Sequence, residues 1–358
     1  MAARKVRSPL GARIVAVLGV LLALAGFGGI VAAKSFLNDL TSSIEVADVD
    51  GHGGANGRPM SGAINLLLLG LDTREGWAEN TSRADTIMLL HVSASHDEAY
   101  LMSIPRDTKV DIPAWANSGY AGGRDKINAA YFFGSQQGQG WPGGAGLMKQ
   151  TVEQLTGISF NGLAVIDFNG FKNVIAALGG VYLCVEHDTW SSHYIEQNGK
   201  PVYYSYDGQE QLPNSWIHKK GCRTMAAWEA LDYSRQRYGL PNGDYDRQKH
   251  QRELIKAMGA KATSAGVLTN PAKLAELLKA AGASLKLDTG GYDPADFLFN
   301  LKVLAAADLV TLKTNAGSFN EDPAGGEALS AGTMRMFEAA RDDTLGTFLA
   351  DNPEYLSP

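Results

Sequence analysis

Seven residues, Ile64-Asn-Leu-Leu-Leu-Leu-Gly70, decide the fold of this 358-residue chain. The run is short, continuous and apolar, and it ends in glycine, which is typical of a β-strand buried on both faces. Two further strands are predicted downstream, at residues 85–93 and 100–104. Because only a short link at 94–98 separates them, they are expected to pair as an antiparallel hairpin.

Helical and extended patterns alternate after this hairpin. Helices are predicted at residues 126–137, 144–155, 169–178, 224–233, 246–263, 271–281, 294–306 and 331–340, and further strands at 163–168, 181–186 and 309–314. This alternation predicts an α/β protein, a three-layer sandwich on one mixed central β-sheet. Residues 188–221 are polar and aromatic with little periodicity, which indicates a long loop or a β excursion.

An uncharged apolar run at residues 14–33 precedes this domain and is long enough to cross a bilayer. Four basic residues precede the run whereas only Lys34 follows closely, so the N-terminus is expected to be cytoplasmic. The alternative is a cleaved signal peptide, since Val31-Ala-Ala33 has the small-residue pattern of a cleavage site.

The predicted organisation is therefore a single-pass membrane protein whose main domain lies outside the cytoplasm. Its four segments are a cytoplasmic N-terminus, one transmembrane helix, a flexible tether and one large domain, at residues 1–13, 14–33, 34–61 and 62–358. The tether is predicted because residues 48–61 are rich in Gly, Asp and Asn.

Charge is unevenly distributed along the chain. The whole chain has a net charge of −6, yet residues 219–256 hold nine Lys or Arg against five Asp or Glu. A positive island in an acidic protein predicts an anionic ligand held locally. Nucleic acid is disfavoured as a partner, because the protein is acidic overall and the domain is expected outside the cell.

The positive island contains two groups of side chains on either side of a turn. Arg235 and Arg237 precede the turn, and Arg247 and Gln251 follow it, one helical turn apart on one face of a predicted helix. Arginine forks bind phosphate oxygens in a bidentate manner, which suits a pyrophosphate. The alternative is an exposed helix whose arginines pair with nearby aspartates.

Three charged clusters are predicted at the strand ends where α/β proteins bind ligands: Asp72 with Arg74, Arg83 with Asp85, and Arg106 with Asp107. Asp72 and Asp85 offer two hard oxygen ligands, which suits a Mg²⁺ ion bound through carboxylates and phosphate. The alternative is that each carboxylate is a turn or cap residue paired with a nearby arginine.

The sequence lacks three common catalytic motifs, and it leaves the state of its two cysteines open. The chain contains neither the Gly-Lys-Ser/Thr of a P-loop nor a Gly-x-Ser-x-Gly elbow nor a His-Glu-x-x-His zinc motif. Cys184 and Cys222 fit no metal spacing, so they are either two buried thiols or, in an exported domain, a disulfide.

Eight ordered blocks between residues 64 and 258 resemble the LytR-CpsA-Psr family of cell-envelope phosphotransferases. The blocks are Leu-Leu-Gly-Leu-Asp72-Thr-Arg74, Arg83-Ala-Asp85-Thr, Ser103-Ile-Pro-Arg106-Asp107-Thr, Lys126-Ile-Asn128-Ala-Ala-Tyr, Asp167-Phe-Asn-Gly-Phe171, Leu178-Gly-Gly-Val181, Arg235-Gln-Arg237 and Asp246-Arg247-Gln248. The two cysteines and the Ala- and Gly-rich composition suggest an actinobacterial member.

The resemblance implies an enzyme that transfers a phospho-linked glycopolymer from a polyprenyl-pyrophosphate carrier to peptidoglycan. The implied acceptor is the 6-OH of N-acetylmuramic acid, and polyprenyl phosphate is released. Mg²⁺ would be the cofactor, held by Asp72 and Asp85. The lipid is expected in an apolar pocket between sheet and helices.

The resemblance also assigns residues to roles in the site. The catalytic candidates are Arg83, Arg106, Asp107 and Arg235. The pyrophosphate-binding candidates are Arg74, Arg83, Arg106, Lys126, Arg235, Arg237, Asp244, Arg247 and Gln251. Asp72, Asp107 and Asp244 are open candidates for a general base. An external domain favours a Cys184–Cys222 disulfide.

Two other functions remain open at this point. A pyrophosphatase would use water in place of the sugar acceptor and hydrolyse the polyprenyl pyrophosphate. A membrane-anchored envelope sensor or attenuator would bind lipid or polymer without turnover. The sequence does not name the glycopolymer, for which teichoic acid, capsule and arabinogalactan are all compatible with the resemblance.

Overall fold

The computed structural model describes residues 44–49, 61–73, 79–204, 209–267, 270–294, 297 and 307–357. The predicted transmembrane helix at 14–33 and Arg74 lie outside these residues, as does most of the helix predicted at 294–306. Within the described ranges, every helix is too short or too polar to cross a bilayer.

The described residues contain fourteen β-strands, numbered here in chain order. They are β1 (Glu45–Val46), β2 (Ile64–Leu71), β3 (Ala84–Val92), β4 (Glu98–Ile104), β5 (Lys109–Ile112), β6 (Gly123–Lys126), β7 (Gly162–Asp167), β8 (Val181–Val185), β9 (Thr189–Gln197), β10 (Lys200–Tyr203), β11 (Ser215–His218), β12 (Gly221–Met225), β13 (Leu285–Asp288) and β14 (Asp308–Leu312).

Seven of these strands form one mixed central sheet in the order β1-β13-β7-β2-β3-β4-β14. The quoted apolar run is β2, and it lies in the middle of the sheet, parallel to β7 and antiparallel to β3. The predicted β3–β4 hairpin is confirmed. The sheet is mixed because β13, β3 and β4 run antiparallel to a neighbour while β1, β7 and β14 run parallel to one.

Eight α-helices surround the sheet within the described residues. They are α1 (Ala129–Gly134), α2 (Gly140–Thr156), α3 (Phe168–Ala177), α4 (Ala227–Arg235), α5 (Asp244–Ser264), α6 (Pro271–Ala281), α7 (Ala331–Arg341) and α8 (Leu345–Asp351). The bounds of α1 to α7 lie within four residues of the predicted ones, whereas α8 was not predicted.

The two faces of β2 enter two different hydrophobic clusters. Leu67 and Leu69 pack in one cluster with residues of α2 and α7. Leu66 and Leu68 pack in the other with residues of α5 and α6. Since successive side chains of a strand point to opposite faces, helices cover both faces of the sheet. The continuous apolar run is explained by this double burial.

Several predictions about local structure are wrong. The helix predicted from 126 is restricted to Ala129–Gly134, because Lys126 ends strand β6, where it pairs with Lys109. Strand β8 does not join the central sheet; it pairs with β12 in a separate two-stranded sheet. Within the predicted tether, Glu45–Val46 forms an edge strand hydrogen-bonded to β13.

The polar segment after residue 188 is a β excursion rather than a loop. Its strands β9, β10 and β11 form a separate three-stranded sheet. Cys184 and Cys222 lie directly opposite each other on β8 and β12 and form a disulfide. This excursion returns the chain through β12 to α4, which carries Arg235.

Candidate functional site

The ends of three neighbouring strands place charged side chains at one edge of the central sheet. Asp72 follows β2 and Arg106 follows β4, whereas Asp85 lies near the start of β3. Since β3 runs antiparallel to both neighbours, its start lies beside their ends. The predicted convergence of these three residues is confirmed by their shared pocket.

Helices α4 and α5 bring the basic residues to the same edge. Arg235 is the last residue of α4, and the extended backbone of Gln236 (φ −69°, ψ 137°) lets Arg237 face the same pocket. A turn then leads to α5, where Arg247 and Gln251 lie one turn apart as predicted. Arg235 and Arg237 thus face the same pocket because a helix end is followed by one extended residue.

These residues line a polar pocket of about 160 Å³. Its walls are Asp72, Asp85, Thr86, Arg106, Phe168, Ser192, His193, Arg235, Arg237, Tyr238, Arg247 and Gln251. Four arginines against two aspartates give the lining an excess of positive charge. A pocket of this composition is suited to an anion with several oxygen atoms.

Each aspartate of the pocket has an arginine beside it. Asp85 accepts a hydrogen bond from Nη1 of Arg106 at 2.9 Å, and Nη2 of Arg235 lies 3.8 Å from Oδ1 of Asp72. The structure thus shows the arrangement stated above as the alternative, in which each carboxylate pairs with an arginine. Asp72 nevertheless keeps capacity for a ligand, because its buried Oδ1 has no hydrogen-bond partner among the described residues.

The arginines also retain unused donors. The Nε atoms of Arg106 and Arg247 are buried and have no hydrogen-bond partner within the described part of the chain. Leaving a buried donor unpaired costs about 1–3 kcal/mol, more for a charged group. A bound phosphate oxygen would satisfy such donors, so their presence favours an anionic ligand.

Burial and ion pairing act in opposite directions on the charged groups. Burial lowers the pKa of the Arg247 guanidinium, although Asp244 raises it. Burial also acts to lower the pKa of Arg106, but the surrounding charges of Asp85, Asp244 and Asp107 raise it overall. Both guanidinium groups stay charged at neutral pH, because the ordinary pKa of arginine exceeds 12.

A second, apolar pocket of about 200 Å³ adjoins the polar one between the sheet and helices α3, α4 and α5. Most of its lining is aliphatic or aromatic, from Leu68 and Met88 on the sheet to Leu254 and Met258 on α5. Four residues line both pockets: Thr86, Phe168, Arg235 and Gln251. The guanidinium of Arg235 stacks on the Phe168 ring at 3.9 Å, where the two pockets meet.

Four predicted site residues do not line the polar pocket. Lys126 forms an ion pair with Asp107 at 2.8 Å, and Asp244 forms one with Arg247 at 2.8 Å, so these three residues lie around the lining arginines instead. Arg83 is exposed, lies over the ring of Phe132 and donates to Asn128 at 3.5 Å. The sequence predicted that these residues lie near the binding edge of the sheet, but it did not show which way their side chains point.

The pocket also contains residues that the sequence analysis did not single out. They are Thr86, Phe168, Ser192, His193 and Tyr238. Thr86 and Phe168 lie inside two of the quoted motifs, so their place in those motifs was an available signal. Ser192 and His193 lie on the β excursion, whose folding back over the site has no local signature in the sequence.

The mixed α/β sheet has an arginine-lined pocket at its strand ends, and this pocket adjoins an apolar one. Together the two pockets are suited to an anion that carries an apolar group. The chain belongs to the LytR_cpsA_psr family, because the model of that family matches residues 34–325.

Curated relatives include the probable cell wall biosynthesis protein LcpB of the actinobacterium Corynebacterium glutamicum. That protein is 32% identical over 328 residues, which covers 86% of this chain and 66% of LcpB. The polyisoprenyl-teichoic acid–peptidoglycan teichoic acid transferase TagU of Enterococcus faecalis is 33% identical over 225 residues, which covers 63% of this chain and 61% of TagU. The matches thus span about two thirds or less of these relatives.

Solved structures share the fold. Protein gbs0355 of Streptococcus agalactiae superposes with a TM-score of 0.61 at 19% identity, covering 79% of this chain and 88% of that chain. TagT bound to LIIa-WTA superposes with a TM-score of 0.56 at 21% identity, covering 84% of this chain and 100% of that chain. At these identities the likeness supports the fold alone.

Proposed function

We propose that this protein transfers a phospho-linked glycopolymer from a polyprenyl-pyrophosphate carrier to peptidoglycan during cell wall assembly. The acceptor in this proposal is the 6-OH of N-acetylmuramic acid, and the leaving group is polyprenyl phosphate. Family membership supports the reaction class, since the relative TagU is named as a transferase of teichoic acid to peptidoglycan.

The observation that carries the proposal is the union of the two pockets through Thr86, Phe168, Arg235 and Gln251. A polyprenyl pyrophosphate has a doubly phosphorylated head and an apolar chain. The head suits the arginine-lined pocket, and the first isoprene units suit the apolar pocket. A soluble sugar phosphate would make no use of the second pocket.

The lining residues supply the two requirements of phosphoryl transfer, which are positioning and neutralisation of charge. Arg106, Arg235, Arg237 and Arg247 surround the pyrophosphate in our proposal. Asp244 and Asp107 hold Arg247 and Arg106 in place through ion pairs of 2.8 and 3.8 Å. Arg83 and Lys126 would act outside the pocket, towards the glycan.

The acidic residues present fit a Mg²⁺ ion bound together with phosphate. Asp72 and Asp85 are two carboxylates in one pocket, and Oδ1 of Asp72 has unused acceptor capacity. The described residues contain no group of three or more His, Cys, Asp or Glu that could hold a metal alone. Mg²⁺ typically binds through one or two carboxylates plus substrate phosphates, and it would supply charge neutralisation here.

The proposal includes the membrane, because the donor lipid is confined to it. Residues 14–33 are proposed as an uncleaved anchor with a cytoplasmic N-terminus, and the domain would then lie outside the cytoplasm. The Cys184–Cys222 disulfide supports this placement, since disulfides persist in oxidising compartments.

One assay separates this function from the two alternatives. The full chain is incubated with a polyprenyl-pyrophosphate-linked glycan, Mg²⁺ and peptidoglycan oligomers, and the products are identified by mass spectrometry. We expect a glycan–peptidoglycan phosphodiester and polyprenyl phosphate. Free phosphorylated glycan alone would identify a pyrophosphatase, and unchanged donor would identify a sensor.

Two variants and a chelator test the site itself. Arg235→Ala and Asp85→Ala should each abolish most of the transfer, and removal of Mg²⁺ by EDTA should do so reversibly. Full activity of either variant would show that the reaction takes place elsewhere on the protein.

A further inference from the structure

A buried aspartate connects the polar pocket to two histidines. Asp232 lies on α4 and is 2% exposed. Its Oδ1 lies 2.9 Å from Nδ1 of His193, and its Oδ2 lies 2.7 Å from Nε2 of His218. Burial acts to raise the pKa of Asp232, but the hydrogen bonds from these histidines lower it to about 2. Asp232 is therefore ionised throughout the neutral range.

The ionised carboxylate determines the tautomer of His193. A carboxylate only accepts hydrogen bonds, so Nδ1 of His193 must donate to it and Nε2 is left free to accept a proton. The amide nitrogen of Gln236 also lies near Nδ1, at 3.3 Å, and a hydrogen bond from it would require the other tautomer. The shorter contact with the ionised carboxylate decides the tautomer instead. An aspartate that orients a histidine in this way is the arrangement used by general bases in hydrolases and transferases.

Gln236 holds the two elements of this pair together. Its Nε2 donates to Oδ1 and to the main-chain oxygen of Asp232, both at 2.8 Å. Its Oε1 accepts a hydrogen bond from the backbone N–H of Ser192 at 2.9 Å. The side chain thus ties the β excursion that carries His193 to the helix that carries both Asp232 and Arg235.

His193 lies in the polar pocket, where a base is needed, and the other candidate bases are paired with cations. It lines the polar pocket and its side chain is 18% exposed. The carboxylates that the sequence offered as bases each lie beside a cation: Asp72 by Arg235, Asp107 by Lys126 and Asp244 by Arg247. For Asp107, burial acts to raise the pKa, but the hydrogen bond from Lys126 and the charge of Arg106 lower it overall, which makes this carboxylate a poorer base.

We propose that His193 is the general base that accepts the proton of the acceptor hydroxyl, and that Asp232 is its positioning residue. This inference rests on the proposed transferase function. The hydroxyl oxygen forms a new bond to the phosphorus attached to the glycan, and its proton moves to Nε2 of His193. The bond from that phosphorus to the bridging oxygen breaks, and polyprenyl phosphate leaves with the electron pair. The imidazolium then returns its proton to water.

The test compares His193→Gln with His187→Gln in the full chain. His187 is an exposed histidine next to the same excursion that does not line the polar pocket, so it is a matched control. We expect His193→Gln to lower kcat about a hundredfold or more, with KM for the lipid donor unchanged. His187→Gln should behave as wild type.

Asp232→Asn provides the second arm, because it would leave the wrong tautomer of His193 without removing the ring. Its folding is checked by circular dichroism, and its kcat should fall as in His193→Gln. If wild type transfers glycan and His193→Gln keeps the wild-type kcat, the base assignment is wrong while the proposed function stands. If wild type makes no phosphodiester, both are wrong.

Discussion

At the scale of single residues, Arg235 connects the two halves of the site. Its guanidinium stacks on Phe168, lies beside Asp72 and lines both the polar and the apolar pocket. We predict that Arg235→Lys loses most of the transfer activity, by about 10²–10³ in kcat, although it keeps the charge. Lysine has neither the planar fork that binds a phosphate nor the face that stacks on a ring.

The matched control for this substitution is Arg335→Lys, an exposed arginine on α7. Initial rates of phosphodiester formation should distinguish the two variants. Equal rates in Arg235→Lys and wild type would mean that charge alone suffices at this position.

A second residue-scale prediction concerns Glu327, which is 3% exposed behind the site. Burial, reinforced by the charges of Asp244 and Asp107, raises the pKa of Glu327 to about 7, although hydrogen bonds from Tyr245 and Asn315 lower it. The folded protein thus holds a proton that the unfolded chain releases near pH 4.5. Stability from this group is complete below that pH and is lost as the pH rises through about 7.

Glu327→Gln removes this dependence, because the amide cannot ionise. The free energy of unfolding of the variant minus that of wild type should rise by about 1–3 kcal/mol from pH 5 to pH 8. Urea denaturation at both pH values measures the gain, with the exposed Glu321→Gln as control. The same difference from wild type at both pH values would contradict a raised pKa.

At the scale of elements, the disulfide between β8 and β12 supports the helix that carries the arginine. Strand β12 ends at Met225 and α4 begins at Ala227, so the strand fixes the start of the helix whose last residue is Arg235. The bridge closes a sequence separation of 38 residues. Constraining a loop of this size in the unfolded chain is worth roughly 3–4 kcal/mol.

The double variant Cys184→Ser/Cys222→Ser should therefore unfold with a free energy lower by about that amount. A reductant should destabilise wild type to a similar degree and leave the variant unaffected, which is the internal control. Equal stability of the oxidised protein and the variant would show that the pairing of β8 and β12 suffices by itself.

Helix α5 shows how much of one element was predictable. Its 3.6-residue periodicity placed Arg247 and Gln251 on one face, and both line the polar pocket. The bounds 246–263 were predicted within two residues of the observed Asp244–Ser264. Local sequence determines where the helix begins, because the turn at Gly243 and the acidic first turn mark its start.

At the scale of the whole molecule, the proposed lipid site exists only because sheet and helices leave a gap between them. Ala164 on β7 lines the apolar pocket and is only partly buried. We predict that Ala164→Phe fills the pocket and weakens binding of the lipid donor. Lost contact with two methylene groups is worth about 1.6 kcal/mol, or roughly tenfold in Kd.

Inorganic pyrophosphate should bind to this variant as it does to wild type, because the polar pocket is untouched. Isothermal titration with both ligands measures the two affinities, and Ala116→Phe, at an exposed alanine that lines neither pocket, is the control. Unchanged affinity for the lipid donor would place its chain elsewhere.

The sequence by itself determined six strands (β2, β3, β4, β7, β8 and β14), most helices and the edge of the sheet at which Asp72, Asp85 and Arg106 meet. These features follow from local rules: burial periodicity reveals strands and helices, and strand direction places their ends together. Family motifs also pointed to Arg235 and Arg247. Local rules could not show that Arg83 turns away towards Phe132, because side-chain direction depends on the packing around it.

The tertiary structure alone decided which residues complete the pocket. His193 and Asp232 are 39 residues apart and meet only because the β excursion folds back over α4. The apolar pocket joins residues of four strands and three helices, so no single stretch of sequence contains its pattern. Contacts between distant segments arise from packing, which periodicity along one segment cannot encode.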